Sequence, residues 1–208
     1  MKDPQSDPAY GRTNWRRFAV CAVVPGVVAG ALIAGMANGA LAASFAVSGQ
    51  SFKISADRLD GTGFAQYGGT VEKADGTAIP VAVSGIANAS LTNLCQSVKI
   101  PGAPISLTIR AGRDAGKPAK ATDLMIGVSE LSGDATFTDI NIGQDASTLR
   151  KGGKDAQGDP GMFGQEATSV KIDGLRQTAV STTAGTFTLN GLNLKVNVAP
   201  GGAPPECF

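Results

Sequence analysis

The sequence predicts an all-β chain, an antiparallel sandwich or curved sheet, following a single N-terminal transmembrane helix. Three observations predict it. From Ser44 onward, short stretches alternate apolar and polar residues, the period of a half-buried strand. Gly, Pro, Asn and Asp interrupt those stretches as turn residues, and no helical period separates them. Ahead of them, residues 18–43 form an apolar run in which Cys21 and Asn38 carry the only polar side chains.

Residues 1–17 read as a short polar tail on the cytoplasmic side. The run 18–43 is long enough to span a bilayer, since a helix rises about 1.5 Å per residue and about 20 residues cross the hydrocarbon core. Arg12, Arg16 and Arg17 precede it and should hold that end in the cytoplasm; Trp15 stands where an interfacial aromatic would stand. The run is either a retained signal-anchor or a signal cleaved after Ala42, the end of an Ala-Leu-Ala tripeptide. Both readings export residues 44–208. The first places the protein in the cell membrane with an extracytoplasmic C-terminal domain; the second secretes it. Gly26-xxx-Gly30 and Gly35-xxx-Gly39 are spacings that bring membrane helices together, and they arise readily by chance in so Gly-rich a run.

Strands are expected in "SFAVSGQSFKISA", "AIPVAVSGIANASLTNL", "PISLTIRA", "DLMIGVSEL", "ATFTDINIG", "TSVKIDGL" and "GTFTLNGLNLKVNV". Turns are expected at "LDGTG", "ADGT", "IPGAP" and "LNG". Residues 143–167 are polar and Gly-rich, the composition of a long exposed loop. Residues 56–64, 83–91 and 128–137 echo one another faintly, as copies of one hairpin unit would.

The chain has 18 Lys plus Arg against 17 Asp plus Glu, a net charge of +1. That balance argues against nucleic acid, which needs a dense basic face. Cys21 lies in the apolar run; Cys95 and Cys207 lie in the exported part. In an oxidising compartment the latter two most simply pair with each other, the alternatives being free thiols or bridges between chains.

Several chemistries lack their groups. The chain has no histidine, which removes the base of Ser-His-Asp and Cys-His mechanisms and the histidine-bearing zinc sites. There is no Gly-x-Ser-x-Gly and no Ser-x-x-Lys. Acidic pairs exist at Asp57 with Asp60, Glu130 with Asp134 and Asp155 with Asp159, but no spacing singles one out as a glycosidase pair. "GTGFAQ" has Gln66 where a dinucleotide fingerprint needs its third glycine, and "DAQGD" lacks the rest of a calcium loop. Asn88-Ala89-Ser90 is a formal glycosylation acceptor. No catalytic residue, metal site or cofactor is expected.

The phrases "FKISADRLDGTGFAQYGGTVEKADGTAIPVAVSGIANASLTNLCQSV", "GDATFTDINIGQDASTL", "LRQTAVSTTAGTFTLNGLNL" and the terminal "ECF", with the apolar run before them, carry a resemblance. Together they resemble an actinobacterial family of small membrane-associated exported proteins of uncharacterised function, some of whose members carry the automatic label cholesterol esterase. The resemblance implies location in the cell envelope. The esterase label conflicts with the missing histidine and the missing serine elbow, and no catalytic residue carries over.

The expected function is therefore a non-catalytic, membrane-tethered β-domain that binds envelope material, including lipid, or a partner protein. The alternatives are a structural or assembly subunit of a membrane complex, and a lipid ester hydrolase resting on the label alone. The expected partners are the lipid bilayer and an envelope lipid or membrane protein; homo-oligomerisation is left open. Phe64, Tyr67, Phe137, Phe163 and Phe187 are the first candidates for the wall of an apolar-ligand site, with ordinary core packing as their other reading.

Overall fold

Four chain-long lines of β-structure organise the computed structural model, which describes residues 50–73, 76–101 and 103–208. The first line is β1 (Phe52–Glu72). It turns at residues 73–77, where Lys73 N donates to Thr77 O and Gly76 N to Lys73 O. The second is β2 (Ala78–Thr92) followed by β3 (Leu94–Lys99), interrupted only by Asn93 in the left-handed region. β1 holds both in one uninterrupted register, from Glu72 opposite Ala78, through Arg58 opposite Thr92, to Lys53 opposite Ser97.

The third line is β4 (Ile105–Ala111), β5 (Ala119–Thr138) and β6 (Asn141–Asp145); the fourth is β7 (Phe163–Thr183), β8 (Thr186–Thr188) and β9 (Asn193–Val198). β4 pairs with β3 and β5 with β2, while β7 and β8 flank β5 and β9 flanks β4. β6 pairs with β7. β7 also returns to β1, from Phe52 opposite Ala179 to Tyr67 opposite Gly164. The antiparallel pairings β1–β2–β5–β7–β1 thus close into a ring.

Closure explains the core. Side chains alternate across a strand, so every second residue of the ring strands points inward. Phe52, Leu59, Phe64, Ile86, Leu124, Ile126, Val170 and Leu175 form the packed interior, each 5% exposed or less. Burying each large apolar side chain contributes about 1.5–3 kcal/mol. Among the described residues the chain is all-β and antiparallel, as the alternation predicted, and no helix is long and apolar enough to cross a membrane. The tail, the apolar run 18–43 and Arg12, Trp15, Arg16 and Arg17 lie outside the described residues.

Three local expectations are corrected. "LDGTG" does not turn; it lies inside β1, with Gly61 opposite both Ala89 and Val170. A Cβ on Gly61 would come within 2.9 Å of the Ile86 and Val170 side chains, so this glycine serves close packing. The echoing segments 56–64, 83–91 and 128–137 are single long strands of the ring, not hairpins. Residues 143–167 are not a freely exposed loop. Asp145 caps a 3-10 turn at Ala146–Thr148 by accepting from Ser147 N, and Leu149 and Ala156 then pack with Ala65, each 2% exposed or less. The buried carboxylate of Glu166 accepts from Arg150 N at 2.8 Å and Lys151 N at 3.2 Å, tying the excursion to β7. Its polarity is spent on internal capping, which composition does not reveal.

Candidate docking face

β3, β4 and β9 leave the ring as a three-stranded arm. Directly opposite residues in an antiparallel pair point to the same side. Gln96, Ile109 and Leu194 form one row across the arm; Val98, Leu107 and Val196 form the next; Ile105 stands opposite Val198. Gln96 also stands opposite Ile54 of the core, so this face is the interior face of the ring continued outward. Inside the ring it is packed. Along the arm its cover fades: Ile109 is 7% exposed, Val98, Leu107 and Ile105 are half-buried, and Leu194, Val196 and Val198 are 48%, 59% and 62% exposed. β9 pairs with β4 alone, leaving its outer edge unpaired among the described residues.

The opposite face of the arm is polar and covered. Ser97, Ser106, Thr108 and Asn197 are buried there, at 1%, 0%, 8% and 9% exposure. The cover is the C-terminal tail, stitched down by the Cys95–Cys207 disulfide. Cys207 N donates to Ser97 Oγ at 3.0 Å, and Ser106 Oγ donates to the Pro205 carbonyl at 2.6 Å. Asn197 Nδ2 donates to Ser106 Oγ and Thr108 Oγ1. The cysteine pairing left open by composition is therefore the intrachain bridge.

The tail ends in a charged clasp. Glu206 pairs with Lys53 at 3.2 Å and with Lys99, and Lys53 Nζ donates to the Phe208 carbonyl at 2.8 Å. Lys53 and Arg176 lie over the Phe208 ring, 5.1 and 5.8 Å from its centroid. Burial alone raises the Glu206 pKa, but bonds from Lys99 and Lys53 and their charges outweigh it and hold the carboxyl below the ordinary glutamate value. A depressed pKa contributes stability that is present above the unfolded value and lost as pH falls through the folded one. The unfolding midpoint should thus decline below the usual glutamate range, and Glu206→Gln should flatten that acid limb in denaturant titrations across pH. An unchanged acid limb in the variant would show that the clasp contributes nothing.

An antiparallel sheet with one wet side normally buries its apolar residues and exposes its polar ones. The arm does the reverse. Its buried hydroxyls and amide have partners, so their burial costs little. Its open aliphatic row has no such compensation, and contiguous exposed apolar surface is what contact sites are made of.

Elsewhere among the described residues, Ile142 and Phe163 also stand exposed, at the edge near β6. A polar groove beside the disulfide is lined by Asp57, Asn93, Arg110 and Arg176 among others. Asp57 there is held by Asn93 Nδ2 at 3.1 Å, and Asp60 is spent on Arg58 at 2.9 Å. Among the described residues no group of three or more His, Cys, Asp or Glu is placed to hold a metal ion.

The five aromatic candidates do not converge. Phe64 is buried and packs against Phe137, their ring centroids 5.2 Å apart. Tyr67 packs by Ala65, Leu149 and Ala156, where burial and then the nearby Asp159 charge raise its pKa. Phe187 packs on the rim of the main core, and Phe163 is 60% exposed at the start of β7. The contiguous apolar row that the arm leaves open is aliphatic. Leu194, Val196 and Val198 were readable in "GLNLKVNV" as one side of a strand, with no sign of what would cover them.

Residues 48–208 match the family of unknown function DUF6230, and the chain belongs to that family. No curated protein and no solved structure matches it.

Proposed function

We propose that this member of the family of unknown function is a non-catalytic, membrane-tethered, extracytoplasmic β-domain that binds envelope material through the open face of its β3–β4–β9 arm. The observation that carries the reading is the inverted burial of that arm: the tail seals the polar face and leaves Leu194, Val196 and Val198 outward. The apolar run 18–43 supports the tether, and the basic residues before it support an extracytoplasmic domain. A disulfide is at home in an oxidising compartment. A sheet face of this kind suits a lipid or an apolar protein surface better than a polar solute.

The unpaired edge of β9 favours a second reading, an assembly subunit that recruits a strand from a membrane-protein partner. Ester hydrolysis has only the label carried by the resembled family behind it, and the chain has no histidine to take the proton.

Replacing Val196 and Val198 with lysine tests the binding. Both are exposed, so folding should change by no more than about 0.5 kcal/mol. Burying two new charges in an apolar contact should reduce the lipid or protein recovered with the full-length chain at least about tenfold, measured by mass spectrometry of gentle extracts. Equal recovery from variant and native protein would remove this face from the function.

A further inference from the structure

We infer that the end of the arm is a lipid-contacting tip that dips into the outer leaflet of the membrane entered by the N-terminal run. The inference names the partner of the face described above and rests on that reading. Two loops meet at this end. One is "IPGAPI", residues 100–105, between β3 and β4; the other is "VAPGGAPP", residues 198–205, between β9 and the clasp. Ala199 N donates to the Pro104 carbonyl at 2.8 Å and holds them together. Neither contains a charged or hydrogen-bonding side chain. Ile100 is 45% exposed and Val198 62%.

The backbone suits the same medium. Apolar surroundings penalise unsatisfied amide donors. Five positions in these loops, Pro101, Pro104, Pro200, Pro204 and Pro205, have no amide hydrogen to satisfy. Ile100 N and Ala103 N donate to carbonyls within the first loop, and Gly202 N donates to Ala199 O within the second. Just above the tip stand Lys99 and Lys53, at the height where ammonium groups would meet lipid phosphates.

Position selects the bilayer over other occupants. β1 starts at Phe52, and Lys53 stands opposite Ser97 near the end of β3, so the chain enters β1 at this same end. Residues 44–51 can reach at most about 29 Å fully extended. A domain tethered that closely by its tip end meets the membrane before it meets anything else. The two loops, with no polar side chain of their own, also lack the directional contacts and aromatic or Arg anchors of a protein interface.

Depth-dependent quenching tests this. Full-length protein carrying Trp15→Phe and a single reporter, Ile100→Trp, is reconstituted through its own N-terminal segment into phosphatidylcholine–phosphatidylglycerol vesicles with or without acyl-brominated lipid. Ala203→Trp reports independently from the second loop, and Glu72→Trp at the far end of β1 is the control. Brominated lipid should quench positions 100 and 203 at least about twofold and leave position 72 unchanged. Equal quenching at all three, or none at the tip, would overturn the inference. A tip reporter that is blue-shifted yet unquenched would assign the tip to a protein or a second copy instead. If the tip is unquenched while the lysine variants at Val196 and Val198 still lose a bound component, the binding face stands and its contact with the bilayer does not.

Discussion

Cys207→Ser is expected to lower the unfolding free energy by about 5 kcal/mol, the chain-entropy value for a bridge closing a loop of this size. The bridge spans 112 residues and pins the tail over Ser97, Ser106, Thr108 and Asn197. Without it, only hydrogen bonds and the Glu206 clasp hold the cover, and those interactions exchange readily with water. Guanidinium titrations followed by far-ultraviolet circular dichroism should show a lower midpoint, and dithiothreitol should bring the native protein to the same value. A midpoint that moves in neither case would mean that the tail does not stabilise the fold.

Phe52→Ala is expected to cost about 3–5 kcal/mol, from lost transfer energy plus an unfilled cavity. Phe52 is 1% exposed and is the first residue of the ring, opposite Ala179 of β7, where closure begins. Phe163→Ala supplies the contrast. That ring is 60% exposed at the edge near β6, and its loss should change stability by less than about 0.5 kcal/mol. The two substitutions remove the same atoms, so the difference measures position in the fold. Comparable costs, measured by the same denaturant titrations, would mean that the ring of strands does not close around Phe52.

Much of this architecture was legible beforehand because strands declare themselves locally. Alternation located strand structure in every predicted stretch among the described residues, and "LNG" turns as read, while "ADGT" and "IPGAP" lie partly outside the described residues. Two exported cysteines made the Cys95–Cys207 bridge the simplest pairing. What escaped was tertiary. "LDGTG" has turn composition, yet Gly61 is there because two neighbouring strands crowd it. Residues 143–167 look solvated, yet Glu166 and Asp145 spend their charge on backbone amides. The docking face escaped for the same reason. Period two says that one side of "GLNLKVNV" is apolar; it does not say that "APPECF" will cover the other side.

Carbene footprinting of the protein in its native membranes tests the central claim most directly. Val196 and Val198 are about as exposed in the fold itself as Ile142 and Phe163, which are 67% and 60% exposed at the edge near β6, and Leu194 is 48% exposed. If the arm presents its apolar face to envelope material, the three β9 residues will be labelled far less than Ile142 and Phe163 in the same sample. Equal labelling of the two sets would contradict the account.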